Sequence, residues 1–255
     1  MVRRLFYGHL HSERDPQACK RDPNLEPLPS LIMKYSKNIV FSIVLQFFLI
    51  PAGFSKTLVI TDSHGEGAFG GELVSLMEKN NQDVSLFAVG GSTSADWNHG
   101  LRQVWGYWEH QTGKPDIRLT KPLTPKLQNL LEQLKPDVLV IELGTNLIWR
   151  DISPESKNEI DRMLETVRTS GVRCFWVGPP DLRPNQEDRV SRELEIHSVL
   201  EDRVIGNCCV LVKSWTFTRF PETGGDGIHY DTIPLIGKGL SRQWALDAYL
   251  RIHSP

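Results

Sequence analysis

Thr57-Leu58-Val59-Ile60-Thr61-Asp62-Ser63-His64-Gly65-Glu66-Gly67 begins as an apolar run and ends in a polar, glycine-rich turn. A short apolar run closed by turn residues reads as a strand buried on both faces. Similar runs lie at residues 84–89, 138–143, 172–177 and 209–212. Between them the apolar spacing changes to a helical one. Leu73, Leu76 and Met77 mark one helix, Leu127, Leu130, Leu131 and Leu134 a second, and Ile160, Met163, Leu164 and Val167 a third. Ser153 is the expected N-cap of that third helix, Pro154 its first residue and Gly171 its stop. A last helix is expected over about 233–250. Strands alternating with helices predict βαβ units, a mainly parallel five-stranded sheet, and helices on both faces.

Ligand and catalytic sites of such sheets gather at the carboxyl ends of the strands. The first strand is followed by Asp62-Ser63-His64-Gly65, which places a serine hydroxyl on a tight turn at the mouth of the sheet. There it can act as a nucleophile, with its own N–H facing the developing oxyanion. The second strand leads into Gly90-Gly91-Ser92-Thr93-Ser94, where glycine lets a backbone N–H approach a substrate. Gly90 and Gly91 compete for that role. The third strand leads into Gly144-Thr145-Asn146, whose amide can donate to the same oxygen. Asp226-Gly227-Ile228-His229 lies before the last helix. An Asp three residues ahead of a His can accept its Nδ1–H and leave Nε2 to take the serine proton.

With these residues the chain resembles the SGNH hydrolases, the GDSL-type esterase and lipase family. The namesake Ser, Gly, Asn and His are matched by Ser63, Gly91, Asn146 and His229, and the Asp of the family's last block by Asp226. The resemblance spans about residues 56–250 and departs from the family at two places. Thr61-Asp62-Ser63-His64 replaces Gly-Asp-Ser-Leu, and Leu147 stands where an Asp usually follows the Asn. It implies a flavodoxin-like three-layer α/β/α sandwich and ester hydrolysis through a Ser63-His229-Asp226 triad and an acyl-enzyme. Ser63, Gly91 and Asn146 would form the oxyanion hole, with no metal and no organic cofactor. His64, Trp97 and Leu147 are the expected substrate-wall residues. Trp97, Trp105, Tyr107 and Trp108 could together offer a stacking platform for sugar rings.

The apolar run at residues 39–50, preceded by Lys34 and Lys37, is too short to span a bilayer but suits the core of a signal peptide. Residues 33–55 are therefore expected to be a leader cleaved after Ser55, with 56–255 the hydrolase domain. Residues 1–32, polar and proline-containing, are expected to be an extension ahead of a start at Met33. Export leads to the periplasm or beyond and leaves no stable membrane span. It also puts Cys174, Cys208 and Cys209 where disulfides are allowed. Three is odd, so at least one thiol stays free or pairs between chains, and all three read as small buried core residues.

The 255 residues carry a formal net charge of −2, with 40% hydrophobic and 24% charged side chains. That balance excludes collagen-like, coiled-coil and largely disordered chains, and offers no basic surface for a nucleic acid. The expected partner is a small-molecule or glycan ester. The leading expectation is an exported esterase, with a carbohydrate O-acetyl group as one substrate. Lipases, lysophospholipases and thioesterases on longer acyl chains are the alternative, and a non-catalytic ligand-binding protein on the same fold is another. Acyl length and oligomeric state are not written in the sequence.

Overall fold

The computed structural model describes residues 55–254, apart from 102–104, 122, 151 and 184–186. The expected extension at 1–32 and nearly all of the leader at 33–55 lie outside the described residues. The chain runs through β1 (Lys56–Thr61), a 3-10 turn (Ser63–Glu66), α1 (Ala68–Lys79), β2 (Asp83–Val89) and α2 (Ser94–His99). β3 (Tyr107–Gln111), β4 (Ile117–Leu119), α3 (Leu127–Leu134), β5 (Val138–Glu142) and α4 (Thr145–Trp149) follow. The second half holds α5 (Pro154–Ser170), β6 (Arg173–Val177), α6 (Glu187–Val204), β7 (Cys209–Val212) and α7 (Gly237–His253). Short 3-10 turns at Ser214–Thr216 and Tyr230–Thr232 lie between the last two.

The strands form one sheet in the order β4-β3-β2-β1-β5-β6-β7. The five apolar runs of the sequence are its parallel strands, ordered β2-β1-β5-β6-β7. Counted among themselves these follow the flavodoxin-like order 2-1-3-4-5. Among the described residues the sheet nevertheless has seven strands rather than five. β3 pairs antiparallel with β2, and β4 antiparallel with β3, adding a hairpin to one edge. Half-exposed edge strands need no continuous apolar run, and all three residues of β4 are exposed, so their sequence shows no strand pattern.

Alternation along the strands divides the core in two. Leu58, Ile60, Leu139, Ile141 and Trp176 pack on the face covered by α2 to α6. Val59, Leu86, Val140 and Val177 pack on the face covered by α1 and α7. α5 shows how the sequence builds one of these covers. Ser153 Oγ accepts from Ser156 N–H, Pro154 opens the helix, and Gly171 closes it in the left-handed conformation. Its stripe of Ile160, Met163, Leu164 and Val167 is wholly buried, worth about 1.5–3 kcal/mol per side chain.

Cys174 and Cys209 face each other across β6 and β7, Cα atoms 4.4 Å apart, and form a disulfide. This corrects the reading of both as plain core residues: strand register, which the sequence does not display, brings them together. Cys208 takes no part in that bridge.

Candidate active site

β1 lies between β2 and β5, whose connections leave in opposite directions along the sheet, so a crevice opens at its carboxyl end. Ser63 is the first residue of the 3-10 turn that emerges there. Asp62 caps this turn: its Oδ1 accepts from His64 N–H at 3.0 Å, and its carbonyl accepts from Gly65 N–H at 3.2 Å. Asp62 is fully buried, and burial pushes its carboxyl up to about 6 against the pull of the His64 N–H and the nearby His229 charge.

His229 comes from the segment ahead of α7, 166 residues further along. Its Nδ1–H donates to Asp226 Oδ2 at 2.7 Å, which leaves Nε2 to accept from Ser63 Oγ at 2.8 Å. Asp226 Oδ1 takes the N–H groups of Ile228 and His229, each at 2.8 Å, and closes the turn on itself. Partial burial opposes ionisation of Asp226. The bonds from the His229 ring and the two N–H groups, with the His229 charge, outweigh it and hold the carboxyl down to about 2. The arrangement can move a proton from the hydroxyl to the imidazole as the oxygen attacks a carbonyl carbon.

Gly91 has φ +74°, and a Cβ there would stand 2.5 Å from Trp105 Cδ1, so conformation and space both require glycine. Gly90 N–H donates to Gly106 O and Ser92 N–H to Val89 O, so Gly91 is the member of the three outside these backbone bonds. Arg150 holds the loop from the other side, with Nη2 donating to Gly91 O at 2.9 Å and Nη1 3.4 Å from Asp96 Oδ2. Asn146, on α4, donates through Nδ2 to Asp62 Oδ2 at 3.1 Å and to Ser92 O at 3.0 Å. Both amide hydrogens are thus engaged, and Asn146 reaches a substrate oxygen by exchanging one of these acceptors.

Ser63, Asp226, His229, Gly91 and Asn146 therefore meet at one end of the sheet. The three expected substrate-wall residues do not all join them. Trp97 is 0% exposed, its indole N–H held by Ser92 Oγ at 3.1 Å, and Leu147 is packed into the same core; neither offers a surface to a ligand. Their helices turn them toward the sheet. His64 does line the cavity, a space of about 300 Å³ shared with Ser63, Glu66, His229, Asp231 and Ser241. Its ring lies between His229 and the edge of Trp244, each 5.1 Å away, and burial with the His229 charge holds it neutral. Of the four clustered aromatic residues, Tyr107 and Trp108 are buried as well, and Trp105 alone is open to solvent.

Glu142 and Asp231 have no role in the sequence reading, yet both meet this site. Glu142 ends β5 beside Asp62, fully buried, and was legible as the one acid in an apolar run. Asp231 accepts from Ala68 N–H at 2.6 Å through Oδ2 and from Ser241 Oγ through Oδ1. It thereby ties the His229 segment to the start of α1 and to α7. Among the described residues no group of three or more His, Cys, Asp or Glu is placed to hold a metal ion.

Strand order and helix placement make this chain a three-layer α/β/α sandwich with a mostly parallel sheet. Protein BcsX of Komagataeibacter xylinus is 28% identical over 185 residues, which cover 68% of this chain and 69% of that one. No family model matches the chain. Similar solved structures include TesA, at 18% identity and TM-score 0.48 over 78% of this chain and 99% of that one. A family 3 carbohydrate esterase of Clostridium thermocellum aligns at 14% identity and TM-score 0.49, covering 79% of this chain and 100% of that one. The psychrotrophic esterase EstA from Pseudoalteromonas sp. aligns at 15% and 0.45, covering 78% and 98%.

Proposed function

We propose that this chain is an exported serine hydrolase of short acyl esters. The observation that carries the reading is the line of contacts from Ser63 Oγ to His229 Nε2 at 2.8 Å and from His229 Nδ1 to Asp226 Oδ2 at 2.7 Å. As Ser63 Oγ bonds to the ester carbonyl carbon, its proton passes to His229 Nε2 and the carbonyl oxygen becomes an oxyanion. The N–H groups of Ser63 and Gly91 and the Asn146 amide surround that oxyanion. The carbon–alcohol bond then breaks, His229 gives its proton to the leaving oxygen, and the acyl group stays on Ser63. Water, deprotonated by His229, attacks the acyl carbon; the bond to Ser63 Oγ breaks, His229 returns the proton to that oxygen, and the acid leaves.

A cavity of only about 300 Å³ supports a short acyl group over a fatty chain. The Cys174–Cys209 disulfide supports an oxidising destination, in keeping with export.

The test is hydrolysis of aryl esters from acetate to dodecanoate by the full chain, with Ser63→Ala beside it. Turnover of the shortest esters that vanishes in Ser63→Ala is the expected result. Preference for dodecanoate would overturn the short-acyl reading, and equal rates in both proteins would overturn the serine mechanism.

A further inference from the structure

Trp105 stands apart from the other aromatic residues of its segment: it is 63% exposed, against 6% for both Tyr107 and Trp108. It is not a stray surface residue. A Cβ on Gly91 would meet its ring at Cδ1, 2.5 Å away, and at Nε1, 3.0 Å away. The indole edge therefore rests on the glycine that faces the oxyanion. Glu66 lies against the same backbone. Its Oε1 is 2.5 Å from where a Cβ of Gly90 would be, and its Oε2 is 1.9 Å from that of Gly106. Three glycines leave room for one aromatic ring and one carboxylate beside the nucleophile.

The edge hairpin holds the backbone of the turn that carries Glu66. Arg118 of β4 lies over the Trp108 ring at 4.5 Å and donates from Nη1 to Glu66 O at 3.2 Å. Glu66 is half-buried and lines the Ser63 cavity. An exposed flat ring near a half-buried carboxylate matches a pyranose, which has an apolar face of C–H groups and a rim of hydroxyl donors.

We propose that Trp105 and Glu66 form a sugar subsite that holds the alcohol half of the ester, so that the natural substrate is an acylated carbohydrate. Trp105 stacks on the ring and Glu66 accepts from its hydroxyls, which sets the ester carbonyl over Ser63 and Gly91. This rests on the short-acyl hydrolase reading and adds the identity of the leaving alcohol.

The test compares kcat/KM on partially O-acetylated xylo- and gluco-oligosaccharides with kcat/KM on 4-nitrophenyl acetate, for the full chain, Trp105→Ala, Trp105→Phe and Glu66→Gln. The ratio of glycan ester to aryl ester is expected to fall about 10–100-fold in Trp105→Ala and Glu66→Gln, chiefly through KM, the size of a lost charged hydrogen bond or ring contact. Trp105→Phe should retain most of it. An unchanged ratio, or a wild-type protein that cleaves only the aryl ester, overturns the sugar subsite and leaves the hydrolase reading standing. If neither ester is cleaved, the hydrolase reading fails. Tryptophan fluorescence titration of the same oligosaccharides then decides the subsite: saturable quenching lost in Trp105→Ala supports it, and no response overturns it.

Discussion

Asp62, the residue after β1, and Glu142, the last residue of the adjacent parallel β5, have both carboxyl groups fully buried, and Asp62 N–H donates to the Glu142 carbonyl at 3.2 Å. Two acids in so dry a place cannot both ionise cheaply. Burial, and then the charge of Asp62, pushes Glu142 well above the usual carboxylate range. The pair lies directly beneath the turn that presents Ser63, and Asp62 Oδ2 is the group that Asn146 holds.

A raised folded-state pKa means that the native state binds a proton the unfolded chain has released. Stability from Glu142 is therefore complete below its unfolded pKa, ordinarily 4.5, and is lost as pH rises toward the folded value. Asp62 behaves alike between its ordinary 3.8 and about 6. Glu142→Gln should unfold at a higher temperature than the unaltered protein near pH 8, with the advantage shrinking toward pH 5. Calorimetry at both pH values checks the sign, and a constant difference would refute it.

Asp226 stays ionised down to about pH 2, so it orients His229 across the whole working range. Asp226→Asn keeps an acceptor for the Ile228 and His229 N–H groups but presents an amide N–H₂ to the imidazole, favouring the wrong tautomer. Turnover should fall about 10⁴-fold with little change in unfolding temperature. Steady-state kinetics beside a melting curve separates the two effects.

Asp231 is a positioning residue rather than a catalytic one. Its carboxylate joins the first N–H of α1 to Ser241 and so sets the spacing between the Ser63 and His229 segments. Asp231→Ala should lower kcat about 10–100-fold while KM stays nearly constant, since misplacement by about an ångström has that effect. Asp231→Asn, which retains one acceptor, should recover part of the loss. Equal kcat in all three proteins would remove the role.

The Cys174–Cys209 bridge closes a loop of 35 residues, for which chain entropy gives about 3–4 kcal/mol. Both cysteines lie toward the amino ends of their strands, away from the edge that carries Ser63. Reduction should lower the unfolding temperature and leave esterase activity unaltered below the transition. A melting curve with and without dithiothreitol, with rates taken at low temperature, tests both halves.

The central parallel strands were legible because they are buried on both faces and their sequence is therefore mostly apolar, as at Leu58-Val59-Ile60. α5 was legible to the residue, since Ser153, Pro154 and Gly171 each perform a local task that sequence records. β3 and β4 were not, because an edge hairpin is defined by its partner strand rather than by its own composition. α6 went unread although Ile196, Val199, Leu200 and Val204 are buried at helical spacing among many charges. The residues that meet at the crevice were legible as strand-end turns and, for Asp226 and His229, as the turn ahead of the last helix. Which aromatic residue faces outward was not, because Trp97 and Trp105 differ only in what packs over them. Asp231 was hidden for the same reason: its partners, Ala68 and Ser241, are distant in sequence.

Ser63 is delivered by β1, which is hydrogen-bonded along both edges to parallel neighbours. His229 sits on no strand, and its segment is held by turn bonds such as Thr232 N–H to His229 O at 3.1 Å and by a few side chains. Openings of such a segment cost far less than opening a central strand. On warming, alignment goes before architecture: the two halves of the proton relay drift apart while the sheet is still whole, and cooling restores them without refolding. Heat inactivation of the proposed hydrolase is thus expected to begin as a loss of register between a durable part and a perishable one, well short of the melting of its core.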